Sequence, residues 1–232
     1  MRLSATLMVF LTACTGPDAG GDVPGSGSTP VQISLGDLQA FDLSDPAAWS
    51  TSNRVGPDGE EVTCLELVGS SDYSPPHRSP RSIALVQDLV VGDFTLVADV
   101  MQTGREYGHR DFCLFFGFED PANFYYVHLA SSPDNHAHNV FLVDDAARVR
   151  IAEIPAAGVD WGTERWHRLR LERELETGLI RVWFDEEQVL ETTDTSHGRG
   201  RLGFGSFDDT GSVGSVWLQA PDAALEPTSS PF

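Results

Sequence analysis

Tyrosine and histidine are spaced within residues 124–128 so that they could act together on one ligand. In an extended strand, side chains two positions apart point to the same side, so we expect Tyr126 and His128 to lie next to each other. Such a pair can stack on a sugar ring, or it can serve as acid and base on a uronic acid. In the second case Arg81 or Arg110 would neutralise the carboxylate. We therefore take Tyr126 and His128 as the candidate catalytic residues, and the plainer alternative is that both pack on a sheet.

Further histidines and arginines surround this segment, and four of the seven histidines lie between residues 105 and 145. Converging arginines can pair with a carboxylate or sulfate, although scattered arginines can equally neutralise nearby Asp and Glu. Trp183 could stack on a sugar, or it could only face Trp166 across a hairpin. The candidate ligand-binding residues are Arg81, His109, Arg110, His138 and Trp183.

Oxygen and imidazole groups in the same region could hold a cation. His136 and His138 are two positions apart, a spacing that puts two imidazoles on one face of a strand. Asp120, Asp134 and Asn135 offer oxygen atoms suited to Ca²⁺, whereas the nearby imidazoles would favour Zn²⁺. We take these three residues as candidate metal ligands and Ca²⁺ as the candidate cofactor. The alternative is an ordinary turn of Asp, Asn and His.

Composition and motifs argue against several functions. All 15 basic residues are arginine, and 35 acidic residues give a formal charge of −20. Without lysine there is no Schiff-base lysine and no phosphate loop of the G-x-x-x-x-G-K type. The negative charge argues against nucleic acid as a partner and repels an anionic membrane surface. Residues 198–203 fit G-x-G-x-x-G, but a strand follows where a nucleotide site needs a helix, so we expect no nucleotide cofactor.

The elements that must position these residues are predicted to be strands. Short β-rich runs separated by turn residues begin near residue 60, and no stretch has a convincing helical period. The predicted strands are 62–68, 83–89, 94–101, 112–118, 124–130, 139–143, 149–154, 166–172, 179–184, 189–192, 202–207 and 213–218. Their number and spacing predict an all-β fold, a two-sheet antiparallel sandwich of the jelly-roll type.

Alternation within the runs predicts which side chains face the core. Phe94, Leu96, Ala98 and Val100 are expected to share one face of their strand. Residues 112–118 are apolar on both faces, as expected for a central strand that is covered on both sides.

Residues 161–218 contain an ordered series of motifs: Trp-His-x-Leu-x-Leu, a Thr-Gly turn, Ile-x-Val-Trp-Phe-Asp, a short strand, Gly-Arg-Leu-Gly-Phe-Gly and a final strand. This order resembles the C-terminal half of concanavalin A-like, laminin-G-like jelly rolls. It is especially similar to the bacterial branch of 3-keto-disaccharide hydrolase domains, and the resemblance covers roughly residues 60–220. It implies a two-sheet sandwich whose concave sheet often binds or cleaves glycans, and the fold alone does not decide between the two.

The beginning of the chain predicts export. Arg2 precedes an apolar stretch at 3–12 that is too short for a permanent membrane helix. The stretch ends in Leu-Thr-Ala-Cys, which resembles the lipobox of bacterial lipoproteins and implies removal of residues 1–13 and lipidation of Cys14. An ordinary secretory peptide is the alternative. Thr15, in place of Asp, favours the outer membrane, so we expect an exported cell-envelope protein that touches the membrane only through its lipid anchor.

Composition divides the rest of the chain. Residues 14–30 are rich in Gly, Pro, Ser and Asp, so they are predicted to form the lipidated Cys and a flexible tether. Residues 31–220 are assigned to the concanavalin A-like sandwich, and residues 221–232 to a polar C-terminal tail. Cys64 and Cys113 are equally compatible with a disulfide and with two free buried thiols.

Together these features predict a cell-envelope lipoprotein whose jelly-roll domain binds a poly- or oligosaccharide. The first alternative is a glycan hydrolase or polysaccharide lyase that uses Tyr126 and His128. The second is a structural or interaction module without a small ligand. If Tyr126 and His128 faced the core between the sheets, both glycan hypotheses would lose their central residues.

Overall fold

The computed structural model describes residues 30–232, and its regular structure is β-strand apart from the short 3₁₀ helices Leu38–Ala40 and Pro46–Ala48. In chain order the strands are β1 (Val31–Gln32), β2 (Phe41–Leu43), β3 (Trp49–Val55), β4 (Glu61–Leu67), β5 (Ser82–Val86), β6 (Leu89–Val90), β7 (Phe94–Gln102), β8 (Phe112–Asp120), β9 (Asn123–Leu129), β10 (Asn139–Asp144), β11 (Val149–Arg150), β12 (Trp166–Arg173), β13 (Leu179–Phe184), β14 (Glu187–Thr193), β15 (Arg201–Ser206), β16 (Gly211–Gln219) and β17 (Ala224–Leu225). In this part of the chain no helix has the length and apolar character needed to cross a membrane.

Two antiparallel sheets pack face to face. The eight-stranded sheet has the order β14-β13-β12-β7-β16-β4-β3, and β1 pairs with the second half of β16. The seven-stranded sheet has the order β11-β10-β9-β8-β15-β5-β2, and β6 with β17 forms a separate pair. Strands far apart in sequence are neighbours, as in β7 with β16 and β8 with β15. The predicted all-β, two-sheet antiparallel jelly-roll sandwich is confirmed.

The core between the sheets is built from the inward faces that alternation predicted. The four predicted side chains of β7 are each 5 % exposed or less, namely Phe94, Leu96, Ala98 and Val100. On the facing sheet, Phe112, Leu114 and Phe116 of β8 belong to the same core. The predicted alternation is therefore confirmed for β7.

The seven-stranded sheet is also covered on its outer side, by a second apolar cluster. Its buried members are Ile83, Leu85, Cys113, Phe115, Phe118, Phe124, Tyr126, Phe141 and Val143. Strand β8 is thus buried on both faces, as predicted. Tyr126 and His128 lie on this outer side, because Tyr125 and Val127 alternate with them and point into the core between the sheets. The glycan hypotheses therefore keep their central residues on the face where a ligand could approach.

Strands near the N-terminal and C-terminal ends of the described chain were not predicted. Trp49–Val55 is rich in Ser and Thr and forms an edge strand beside β4. On the C-terminal side, Ala224–Leu225 pairs with Leu89–Val90, and the Phe232 ring lies 5.1 Å from that of Tyr73. The segment that composition set apart as a polar tail thus packs along the sandwich.

Predictions for the export segment fall outside the described residues. They comprise the signal peptide 1–13, the lipidated Cys14 and the tether as far as residue 29, and they stay predictions. The other two cysteines are described, and both are free and buried. Cys64 lies in the eight-stranded sheet, whereas the Cys113 side chain belongs to the outer apolar cluster and points away from that sheet, so the free-thiol alternative applies to this fold.

Candidate functional site

A cleft of about 510 Å³ opens at one end of the outer face of the seven-stranded sheet. Four loops surround it: 71–81, 103–111, 130–138 and 207–210. They meet there because β5, β8 and β10 begin at this end of the antiparallel sheet, while β9 and β15 finish there. The volume lies within the range of roughly 300 to 1,000 Å³ that is usual for small-ligand pockets.

The cleft carries positive charge, although the whole chain has a net charge of −20. Arg78, Arg81 and Arg148 line it, and among the described residues that line it Asp208 is the one carboxylate. Arg78 and Arg81 are exposed, and neither has an ion pair or a side-chain hydrogen bond with any residue in the described range 30–232. Their guanidinium groups are therefore available to a ligand.

Arg148 is held in a fixed position at the wall of the cleft. It belongs to the hairpin between β10 and β11, and its guanidinium lies 4.6 Å from the ring centre of Phe141 and 4.7 Å from that of Phe207. Nη1 donates to the Tyr126 hydroxyl at 2.5 Å, and Nη2 donates to the His136 carbonyl at 3.1 Å. Nothing in the sequence predicted this role, because a hairpin position does not show that a long side chain runs back across the sheet.

His128 lies at the floor of the cleft and is 3 % exposed. Its Nδ1 accepts the backbone N–H of His138 at 3.2 Å, so the proton of the neutral ring is on Nε2, which lies 3.7 Å from Oδ2 of buried Asp111. Burial, together with the positive charges of Arg148 and His109, lowers the pKa of His128 to about 3. The ring is thus neutral at physiological pH, and both of its nitrogens are directed into the protein.

Asp111 anchors the loops beneath the cleft. Its carboxyl group accepts hydrogen bonds from the Ser206 hydroxyl at 2.7 Å and from the Cys113 thiol at 2.9 Å. Its backbone N–H donates to Asp209 at 2.9 Å, and the same carboxylate oxygen accepts from the Tyr107 hydroxyl at 2.7 Å. Burial and the negative charge of Asp209 raise the pKa of Asp111 well above its usual value. This network ties the loop before β8 to the loop after β15 and fixes Tyr107 at the cleft.

His109 and Asp134 connect two loops at the rim. His109 Nε2 lies 2.9 Å from Asp134 Oδ2, and both side chains are about half exposed. Asp134 Oδ1 also accepts the backbone N–H groups of His136 at 2.6 Å and Ala137 at 2.9 Å, which shapes the turn. Burial raises the pKa of Asp134, but the backbone hydrogen bond from His136 and the charge of His109 lower it overall. Of the predicted ligand-binding residues, Arg81 and His109 line the cleft.

Two predicted residues lie beside the cleft without reaching its surface. Tyr126 has no exposed area, stacks on Phe141 with 5.1 Å between ring centres, and accepts a hydrogen bond from Arg148 at its hydroxyl, so it cannot stack on a sugar. His138 is also fully enclosed, its Nδ1 accepts the N–H of Ala130 at 3.2 Å, and burial lowers its pKa to about 4. Tyr126 and His128 thus lie on the same face of β9, as predicted, but Tyr126 is fully enclosed and does not line the cleft.

Two further predicted residues serve other parts of the molecule. Arg110 is 3 % exposed and donates to the Gly104 carbonyl at 3.1 Å and the Gly162 carbonyl at 2.5 Å, so it braces a loop. It borders a smaller cleft of about 280 Å³ instead. Trp183 lies in β13 of the eight-stranded sheet, beneath the guanidinium of Arg170 at 3.6 Å. It is therefore on the other sheet from the cleft.

The three predicted metal ligands are not brought together. Asp120 lies in the hairpin before β9, where its Oδ1 accepts the N–H of Ala122 at 2.7 Å, whereas Asp134 and Asn135 follow the far end of that strand. A strand of this length spans about 20 Å. Within residues 30–232, no group of three or more His, Cys, Asp or Glu side chains is arranged to hold a metal ion. One Ca²⁺ ion therefore cannot contact all three residues, and calcium binding itself stays a prediction.

Comparisons with known proteins identify the fold. No protein-family model matches the sequence, and no curated protein matches it either. The carbohydrate binding module CBM66 from Bacillus subtilis superposes with a TM-score of 0.51 over 75 % of this chain and 96 % of that one, at 18 % identity. The cellulose induced protein Cip1 superposes with a TM-score of 0.51 over 79 % of this chain and 92 % of that one, at 10 % identity. The chain thus shares the jelly-roll fold of these two proteins, and it has a cleft lined by arginines at one end of its seven-stranded sheet.

Proposed function

We propose that the sandwich domain binds a poly- or oligosaccharide in the cleft. The observation that carries this proposal is the cleft itself, which lies on a sheet of a jelly roll similar to a carbohydrate binding module. Its lining offers what sugars need, because Tyr107 and Phe207 provide ring surface while Asp208 and the arginines provide hydrogen-bonding groups for hydroxyls.

Binding is favoured over catalysis by the state of His128. A general acid or base must exchange a proton with the substrate, so one ring nitrogen has to face it. Nδ1 of His128 is occupied by the His138 backbone N–H, and Nε2 is turned toward Asp111. Tyr126, the second candidate, is fully buried. The hydrolase or lyase alternative therefore lacks its proposed acid–base pair.

The place of action proposed is the cell envelope. The lipobox-like ending at Cys14 and the residues up to 30, rich in Gly, Pro and Ser, support a lipid anchor followed by a tether. Such a tether would let the domain reach glycans while its cleft stays free of the membrane.

A binding experiment with cleft variants tests the proposed function. The full-length protein in neutral detergent is titrated with neutral and acidic polysaccharides, with and without EDTA. We expect binding to at least one polysaccharide, and we expect His109→Ala and Asp208→Ala to weaken it by about tenfold. The matched control is Glu176→Ala, an exposed carboxylate at the tip of the β12–β13 hairpin, which should bind like the wild type.

Two results would overturn parts of this proposal. If no polysaccharide binds, the domain is better described as an interaction module of the envelope. If binding persists in both cleft variants, the glycan site lies elsewhere on the sandwich. Loss of binding in EDTA would show that binding requires a cation, a role that the predicted Ca²⁺ would fill.

A further inference from the structure

We propose that the cleft selects an acidic glycan and holds its carboxylate or sulfate group with Arg78, Arg81 and Arg148. This inference rests on the proposed function and names the class of sugar that the same cleft takes. Carboxylate and sulfate share the chemistry that a guanidinium recognises, since each presents charged oxygen atoms that accept two parallel N–H bonds. The experiment below distinguishes the two anions.

Seven arginines of the described chain form ion pairs with Asp or Glu, whereas the exposed arginines of the cleft form none. On the eight-stranded sheet, for example, Arg54 lies 2.6 Å from Glu66, with which it forms an ion pair. Arg78 and Arg81 have no such partner in the described part of the chain, although acidic residues outnumber basic ones 35 to 15. In so acidic a protein, two unpaired arginines in one cleft create a local positive potential that an anionic group would neutralise.

Arg148 adds a donor whose position is already fixed. Its hydrogen-bond acceptors are the Tyr126 hydroxyl and the His136 carbonyl, which are uncharged, so no carboxylate of residues 30–232 cancels its positive charge. The rings of Phe141 and Phe207 hold the guanidinium between them. Because the group is ordered before a ligand arrives, little conformational entropy is lost on binding.

The remaining lining groups suit the uncharged part of a sugar. His128 contributes no charge at physiological pH, because burial keeps its ring neutral. Tyr107 contributes a ring, and exposed Asp208 can accept bonds from hydroxyl groups.

Matched pairs of polymers test the inference. Full-length protein in neutral detergent is titrated with polygalacturonate and its methyl ester, and with dextran sulfate and dextran. Each pair keeps the sugar chain and removes the charge. We expect one charged polymer to bind at least about tenfold more tightly than its uncharged partner. The pair that shows this difference identifies carboxylate or sulfate as the recognised group.

Three variants assign the effect to the cleft. Arg78→Gln and Arg81→Gln remove exposed side chains without described partners, so folding should be unaffected, and each should weaken binding by about tenfold. Arg181→Gln is the control, because it makes the same change in net charge on the eight-stranded sheet. It should bind like the wild type.

The net charge of −20 makes the protein as a whole repel polyanions, so binding of an anionic polymer must come from a local site.

The outcomes separate this inference from the proposed function. Equal binding of charged and uncharged polymers, lost in His109→Ala, would overturn the acidic class and leave glycan binding intact. Preference for a charged polymer that survives in both cleft arginine variants would overturn the role of these arginines. Absence of binding to all four polymers and to the wider polysaccharide panel would overturn both proposals.

Discussion

His138 is a residue whose surroundings make folding depend on pH. In the folded protein it is fully enclosed, and burial lowers its pKa from 6.5 to about 4. In the unfolded chain the same ring takes up a proton once the pH falls below about 6.5. Between these two pKa values unfolding is accompanied by proton uptake, so stability is lost as the pH falls. The expected slope for one such residue is about 1.4 kcal/mol per pH unit.

We expect His138→Asn to remove this contribution. Asparagine does not titrate, and it tolerates the positive φ of 54° found at this position. Urea unfolding of wild type and variant is compared at about pH 7.5 and about pH 5. The stability lost between the two pH values should be smaller in the variant by about 1 to 2 kcal/mol.

The control for this experiment is Val140→Ala. It also truncates a fully buried side chain nearby but introduces no change in titration. The cost of the lost contacts is the same at both pH values, so the control should keep the wild-type pH slope. A His138→Asn protein with the same slope as Val140→Ala would contradict the lowered pKa.

At the residue scale, the sequence predicted which face of a strand a side chain lies on better than it predicted which residues surround that side chain. The alternation around Tyr126 and His128 correctly placed both on one face, because side-chain direction follows from local strand geometry. Their burial was not predictable, because it depends on loops that are distant in sequence. Arg148 escaped prediction for the same reason: its partners Tyr126 and Phe207 lie 22 and 59 residues away along the chain.

Among the elements, β15 contains a glycine that its two neighbouring strands approach closely. It lies between β5 and β8, and Gly205 is paired with Ile83 on one side and Cys113 on the other. A Cβ atom at Gly205 would lie 1.9 Å from the carbonyl oxygen of Ser82 and 3.0 Å from the Phe115 ring. The glycine therefore allows the close approach on which the outer apolar cluster depends.

We expect Gly205→Ala to lower the free energy of unfolding by about 2 kcal/mol or more, because the added methyl group meets backbone that cannot move easily. Gly198→Ala is the matched control, since an added Cβ there has no atom of the described chain within 4 Å. It should change stability by less than about 0.5 kcal/mol. Urea unfolding midpoints measure both, and equal midpoints would argue against tight packing at β15.

Element positions were predictable where alternation was strong. Each predicted run overlaps an observed strand, whereas Trp49–Val55 was missed because an edge strand made of polar residues has little apolar pattern. The sheet to which each strand belongs was not predictable, because pairing is decided by contacts between distant segments. Trp183 was therefore grouped with residues of the seven-stranded sheet, although β13 belongs to the other sheet.

For the molecule as a whole, the arrangement of charge matters more than its sum. The acidic excess could be read from composition, and it argued against nucleic acid as a partner. The structure places ion pairs such as Arg168 with Asp99 on the eight-stranded sheet, whereas Arg78 and Arg81, which form no ion pair within the described residues, lie in the cleft. A protein can thus repel anions over most of its surface and still attract one at a defined place.

The same charge decides how the chain could attach to a membrane. The formal charge of −20 includes Arg2, so removal of residues 1–13 would leave −21 and strengthen repulsion from anionic lipids. Membrane affinity would then come from acyl chains on Cys14 alone.

We expect Cys14→Ser to move the protein entirely into the soluble fraction after cell breakage, even at low salt, and to abolish incorporation of labelled fatty acid. Thr15→Ser is the control and should stay with the membrane. A Cys14→Ser protein that is released only by a salt wash would show that the folded body itself binds the membrane, and a wild type without fatty acid would remove the proposed anchor.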